Sequence, residues 1–217
     1  MLLKPKQKLV FIGDSVTDCD RAKPHGEGLF QALGNGYVSI VDAFLQSSYP
    51  ELGIRVVNKG TSGNTVRDLT DRWEEDVIEQ KPDWLSVMIG INDVWRQYDS
   101  PMQIEQHVYI EEYKDKLTEL VVRSRKNTEN IVLMTPFFIE PNNQDAMRNT
   151  MDQYGEVVKA IANEHDCIFV NTQEAFNKVL EDLYPASIAW DRVHPNQTGH
   201  AVLAKAFLRA IEFDWQK

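Results

Sequence analysis

The stretch KLVFIGDSVTD, Lys8–Asp18, decides the fold. Lys8–Ile12 is an apolar run rich in β-formers and is ended by Gly13, so it reads as a short buried strand. A strand that runs through a core and stops on Gly-Asp-Ser leaves two readings of the turn. Asp14 or Ser15 caps a following helix, since both residue types are favoured caps. Alternatively, Ser15 is a nucleophile held at a strand end.

Working outward, four more runs of the same kind follow at Arg55–Asn58, Trp84–Ile89, Asn130–Thr135 and Cys167–Asn171. The third and fourth are nearly continuous apolar runs, as parallel strands covered on both faces require. Between them lie stripes of helical period: Tyr37, Val41, Phe44 and Leu45; Val66, Leu69, Trp73 and Val77; Ile110, Tyr113, Leu117, Leu120 and Val121; Met147, Met151, Tyr154, Val158 and Ile161; and last Leu203, Phe207, Ala210 and Ile211. Thr65 and Asp68, three apart, form a capping-box pattern ahead of the second stripe. Strand and helix alternate throughout, which predicts an α/β sandwich on a mostly parallel sheet. No repeat or linker interrupts it, so residues 1–217 are expected to form one domain. The stretches Cys19–Gly36 and Pro136–Asp145 are expected to be long loops.

The chain has 217 residues, is 42% apolar and carries a formal net charge of −10. Such a surface repels nucleic-acid phosphates and anionic lipid, so neither is an expected partner. No run of about 18 apolar residues offers a membrane span. The start, MLLKPKQKLVFIGDS, has no signal-peptide apolar region or small-residue cleavage site, so the expected location is cytoplasmic. Cys19 and Cys167 match no metal spacing, and a disulfide framework is not expected. Cys167 is expected to be a core residue of the last strand.

In parallel α/β sheets, ligands sit beyond the carboxyl ends of the strands. There the chain places Gly13-Asp14-Ser15, then Lys59-Gly60-Thr61-Ser62-Gly63-Asn64, then Gly90-Ile91-Asn92-Asp93, and before the final helix Asp191-Arg192-Val193-His194-Pro195. Singly, each has an ordinary explanation: caps for Asp14, Ser15, Asn92 and Asp93, turn glycines for Gly60 and Gly63, a surface ion pair for Asp191 and His194. Together they supply a nucleophile, an Asp/His pair and amide donors, which is what acyl transfer needs. His25, His107, His165 and His200 are taken as structural.

GDSVTD, NKGTSGNT, GIND and DRVH, in that order and spacing, resemble the four blocks of the SGNH (GDSL) hydrolase superfamily. VVNKGTSGNTVRDL, MIGINDVWRQYD and AWDRVHP are similar within it to bacterial intracellular xylan acetyl esterases, which are serine carbohydrate esterases. The resemblance implies a flavodoxin-like three-layer fold with a five-stranded parallel sheet of order 2-1-3-4-5. It implies removal of acetyl groups from xylo-oligosaccharides by a Ser-His-Asp acyl-enzyme mechanism, without cofactor or metal. Ser15 would be the nucleophile, His194 the base and Asp191 its partner. The oxyanion hole would be the N–H groups of Ser15 and Gly60 with the Asn92 amide. Gly60 is expected to be glycine because a side chain would block the carbonyl oxygen, and Ser62 to be a turn serine. Trp95, Trp190 and Arg96 are candidate sugar contacts; the two tryptophans could equally pack loop walls or a subunit contact. The resemblance also implies a homo-oligomer, with Phe213 and Trp215 as apolar surface near the C-terminus.

Three rivals remain at this stage. One is an esterase, thioesterase or lysophospholipase acting on another small acyl ester. The second is a module that binds FMN or phosphate, which the acidic GDSVTDCDR turn disfavours. The third is a metal hydrolase on Asp14, Asp18 and Asp20, for which no His or Cys set completes a site.

Overall fold

The computed structural model describes residues 1–217. Five strands, β1 (Lys8–Gly13), β2 (Arg55–Gly60), β3 (Trp84–Met88), β4 (Asn130–Met134) and β5 (Ile168–Val170), form one parallel sheet of order β2-β1-β3-β4-β5. The eight α-helices are α1 (Ser15–Asp18), α2 (Tyr37–Ser48), α3 (Val66–Trp73, continued by a π-helical turn, Glu74–Ile78), α4 (Ile91–Asp99), α5 (Ile110–Arg125), α6 (Ala146–Glu164), α7 (Thr172–Leu180) and α8 (Gln197–Ala210).

The apolar strand runs split by alternation. Leu9 and Phe11 join α2, α7 and α8 in one core, while Val10 and Ile12 join α3, α5 and α6 in the other. Period-two geometry sends successive side chains to opposite faces, so a strand with helices on both sides must be apolar at every position. Trp73, fully buried beneath the sheet, donates its indole N–H to Ser124 Oγ at 3.1 Å. The capping box forms too: the Thr65 N–H and hydroxyl both donate to Asp68 Oδ2 at 2.7 Å.

Several expectations are corrected. Phe44 faces outward from α2 against Phe213 and Trp215, so it lies off the core stripe. Phe213 is itself buried and stacks edge-on with Tyr49, which leaves Trp215 only partly exposed. The C-terminal aromatics therefore largely cover one another. Cys167 precedes β5 and is half-buried beside Arg125. Helices α4 and α7 are additional; α7 is capped by Asn171, whose side chain accepts the Glu174 N–H at 3.0 Å.

The register sets Gly13 opposite Gly60 on one side and Met88 on the other. The chain leaves β1 for β2 on one flank and reaches β3 on the other. The carboxyl ends of these three strands thus meet at the switch point of the sheet, where open α/β folds bind ligands.

Candidate active site

Asp14 follows β1 and caps α1, its carboxylate accepting the Val16 N–H at 3.0 Å. The cap reading and the nucleophile reading of this turn are compatible, because Asp14 takes the first role and leaves Ser15 at the start of a single helical turn. Ser15 Oγ lies 2.9 Å from His194 Nε2, and His194 Nδ1 lies 2.6 Å from Asp191 Oδ2. The carboxylate can only accept, so Nδ1 carries the proton and Nε2 is left to receive one from Ser15.

The Asp191–His194 turn is held from three directions. Asp191 Oδ1 accepts the N–H groups of Val193 at 3.0 Å and His194 at 2.8 Å. Val193 is fully buried in the core shared with α3, α5 and α6. The Arg192 carbonyl accepts the Ile139 N–H at 2.9 Å. Burial would raise the Asp191 pKa, but the His194 ring and the two backbone donors outweigh it and hold the carboxyl below the usual range.

Beyond β2 the chain turns through Thr61–Asn64. Thr61 N–H donates to the Gly13 carbonyl at 3.0 Å, and Asn64 N–H to that of Thr61 at 3.3 Å. Ser62 donates its N–H and its hydroxyl to Asp18 Oδ2, at 3.0 and 2.9 Å. Arg72 Nε donates to Asn64 Oδ1 at 2.6 Å, while its other nitrogens reach the carbonyls of Lys59 and Gly13. Asn92, in the first turn of α4, donates Nδ2–H to the Asn64 carbonyl at 3.0 Å and accepts from Arg96 at 3.3 Å on Oδ1. Those two bonds set the amide's orientation and leave its second N–H free.

Gly60 does not line the cleft. Its N–H donates to Asn58 Oδ1 at 2.8 Å. A Cβ there would sit 2.2 Å from the Asp18 nitrogen, so Gly60 is glycine because α1 packs on it. The residue the sequence reading passed over is Gly63. It has φ +81° and open space around its Cα, and it lines an open cleft of about 360 Å³ with Ser15, Ser62, Asn92, Trp95 and His194. The N–H groups of Ser15 and Gly63 have no partner within the chain. The signal was present as the second glycine of GTSGNT, but the spacing alone does not rank it above the first.

Of the candidate sugar contacts, Trp95 reaches the cleft, with its ring edge-on to His194 at 5.7 Å. Arg96 also lines it, stacked over Trp95 at 4.8 Å and paired with Asp99. Trp190 is 90% exposed and lines neither this cleft nor its neighbour. That neighbour continues past Trp95 along Tyr98, Phe138, Asp145 and Arg192. A polar cleft of similar volume between α6 and α7, about 350 Å³, contains none of Ser15, Asp191 or His194.

Two carboxyls lie beneath the site. Burial pushes Asp14 up to about 7 despite the Val16 N–H and the charges of His194 and Arg72. Burial likewise pushes Asp93 up to about 7; its Oδ1 accepts the Val66 N–H at 3.0 Å and its Oδ2 has no partner. His200 is buried, accepts the Tyr37 N–H on Nδ1 and faces Cys19 Sγ at 3.1 Å; burial lowers its pKa to about 4. Those two contacts tie α8 to the start of α2 and to the end of α1.

The GDSL-like Lipase/Acylhydrolase family profile matches residues 11–202. An acetylxylan esterase of Geobacillus stearothermophilus is 66% identical over 209 residues, covering 96% of this chain and 95% of that protein. The crystal structure of the S15A catalytic mutant of that organism's acetylxylan esterase Axe2 superposes with a TM-score of 0.98, at 64% identity over 99% of this chain and 98% of the other. H194A and D191A are also described as catalytic mutants of Axe2. LAE5, an alpha/beta hydrolase from the metagenome of Lake Arreo, Spain, matches with a TM-score of 0.97 and 50% identity over 98% of both chains.

Proposed function

This chain belongs to the GDSL-like lipase/acylhydrolase family, and we propose that within it the protein is a serine carbohydrate esterase that removes acetyl groups from xylo-oligosaccharides. The observation that carries the chemistry is the relay from Ser15 through His194 to Asp191, at 2.9 and 2.6 Å, beside the unpaired N–H groups of Ser15 and Gly63. The likeness to the Geobacillus acetylxylan esterase supports the substrate.

In this reading Ser15 Oγ attacks the ester carbonyl while His194 takes its proton. The oxygen that becomes negative is met by the N–H groups of Ser15 and Gly63 and by the free Asn92 N–H. The intermediate collapses to acetyl-Ser15, and His194 returns the proton to the departing sugar oxygen. Water, deprotonated by His194, then attacks the acetyl-enzyme and releases acetate. Because the leaving oxygen must lie within reach of Nε2, the sugar occupies the His194 side, against Trp95 and toward the cleft beyond it. Cys19 and Ser62 line the rest of the cleft, which leaves that side for the acetyl group.

The test is acetate release from acetylated xylo-oligosaccharides by wild type and Ser15→Ala. Release by wild type and none by the folded variant is the expected result. A wild type silent on the sugar but active on an aryl acetate refutes the substrate, and a chain-length series of acyl esters then identifies the replacement. An active Ser15→Ala refutes the chemistry.

The whole chain acts as one catalytic domain, neither nucleic acid nor membrane is a partner, and the protein works in the cytoplasm as a homo-oligomer. The family match over residues 11–202 supports the single domain, the net charge of −10 disfavours nucleic acid and anionic membrane, and two free thiols suit a reducing compartment. Exposed Leu29, Phe30, Met102 and Trp190 support self-association. A solution mass of only 25.0 kDa would exclude it.

A further inference from the structure

Asp18 closes the GDSVTD motif, and nothing in the reaction so far uses it. Its side chain is almost completely buried, and Oδ2 accepts from Ser62 N, Ser62 Oγ and Lys23 Nζ at 3.0, 2.9 and 3.1 Å. Oδ1 has no partner. Burying a carboxylate is unfavourable unless hydrogen bonds offset it, and here all of them go to one oxygen. What they hold is a turn with no apolar anchor, since Ser62 and Gly63 are both exposed. The ends of the turn are tied separately, by Thr61 to Gly13 and by Asn64 to Arg72. Only Asp18 holds its middle. It does so from the same four-residue helix that begins with Ser15.

We propose that Asp18 is a positioning residue of the reaction, which fixes the Ser62–Gly63 turn relative to Ser15 and so keeps the Gly63 N–H in place for the developing oxyanion. This rests on the reading of Gly63 as an oxyanion donor. It gives the last residue of the motif a physical purpose: one helical turn carries the nucleophile at its start and the anchor of the opposing donor at its end. Ser62, taken from sequence as a turn serine, is the handle that Asp18 grips. Burial raises the Asp18 carboxyl, but Lys23 and the two Ser62 donors more than reverse this and keep it ionised.

The experiment measures kcat and KM for 4-nitrophenyl acetate in wild type, Asp18→Ala, Asp18→Asn and Ser62→Ala. It adds inhibition by a small alkyl boronic acid, which forms a tetrahedral adduct on a serine nucleophile. Loss of a whole oxyanion donor costs about 10²–10³ in turnover, so misplacing one is expected to cost Asp18→Ala about 10–10². KM should stay within about threefold, because only the tetrahedral species uses the donor. Boronate affinity should fall by the same factor as kcat, which a purely structural role would not produce. Ser62→Ala keeps the N–H bond and should lose less. If Asp18→Ala does not fold, Asp18→Asn decides, with at least about a threefold loss expected in both kcat and boronate affinity. A folded Asp18→Ala, or Asp18→Asn where Asp18→Ala does not fold, with kcat and boronate affinity within about threefold of wild type, whether or not its melting temperature falls, overturns the proposal. Activity surviving in Ser15→Ala would instead overturn the esterase reading on which it rests.

Discussion

Asp191→Asn separates two roles of one carboxylate. Asp191 Oδ1 takes two backbone N–H groups, at 3.0 and 2.8 Å, while Oδ2 takes the ring Nδ1–H at 2.6 Å. Asparagine has one oxygen for these two places. If the oxygen stays with the backbone, the amide NH₂ faces Nδ1, which must then accept. The ring proton moves to Nε2, and the imidazole can no longer receive the proton of Ser15. If the amide flips, the ring keeps its tautomer but NH₂ confronts two N–H donors. Leaving each unpaired costs about 1 kcal/mol on this partly exposed turn, so the flipped rotamer is disfavoured by about 2 kcal/mol, near thirtyfold. That minority also lacks the negative charge that stabilises the imidazolium. The two losses compound to a fall in kcat of about 10³–10⁴, against about 10⁴ for a serine-protease triad forced into the wrong tautomer. Asp191→Ala imposes no tautomer and should be no worse than Asp191→Asn. The assay is aryl acetate turnover from pH 6 to 10 with melting temperatures alongside. An Asp191→Asn enzyme that keeps more than about a tenth of wild-type kcat, or exceeds Asp191→Ala by tenfold or more, would refute the reasoning.

Three further outcomes are expected. Asn92→Ala should lose about 10²–10³ in kcat and little in fold, whereas Arg96→Ala, which frees the Asn92 amide to rotate but leaves it in place, should lose less; equal turnover in Asn92→Ala and wild type would remove Asn92 from the oxyanion hole. Gly60→Ala should fail to fold or melt far below wild type, because its Cβ would sit 2.2 Å from a backbone nitrogen, while Gly63→Ala has room and should be destabilised by only about 1–2 kcal/mol through its φ of +81°; comparable melting temperatures for the two would contradict this. Asp93, raised from 3.8 to about 7, binds its proton more tightly folded than unfolded, so its contribution to stability is complete below about pH 4 and is lost as pH rises toward 7. Asp93→Asn cannot ionise and should gain melting temperature on wild type between pH 5 and 8; parallel curves would count against the assignment.

Much of the scaffold is legible along the chain because it rests on periodicity. The run LVFI, Leu9–Ile12, is apolar at every position since β1 is covered on both faces, and the stripes of α3, α5 and α6 repeat at helical spacing. Thr65 and Asp68 announce the start of α3 because a capping box spans only four residues. Helices α4 and α7 escaped. The first turn of α4 carries the GIND block and so reads as a site, while α7 buries a single large apolar side chain, Phe176, and so sets up no period. The Asn171–Glu174 spacing at its start was a signal that could have been used.

The site divides in the same way. Asp191 and His194 are three residues apart and GDS sits at a strand end, so the sequence by itself determined the candidate set of a nucleophile and an Asp/His pair, and the resemblance of its four blocks to the SGNH hydrolases supplied their roles. It could not choose between the two glycines of NKGTSGN. That choice depends on Asn58 taking the Gly60 N–H and on α1 packing against Gly60, contacts between segments about forty residues apart. Nor could it show that Asp18 grips Ser62, or that Trp190 stands outside the cleft while Trp95 meets His194. Local pattern records which residues a helix or strand must bury. Which amide is left free to meet a substrate is decided only when distant segments have claimed the others, and that is a property of the tertiary structure.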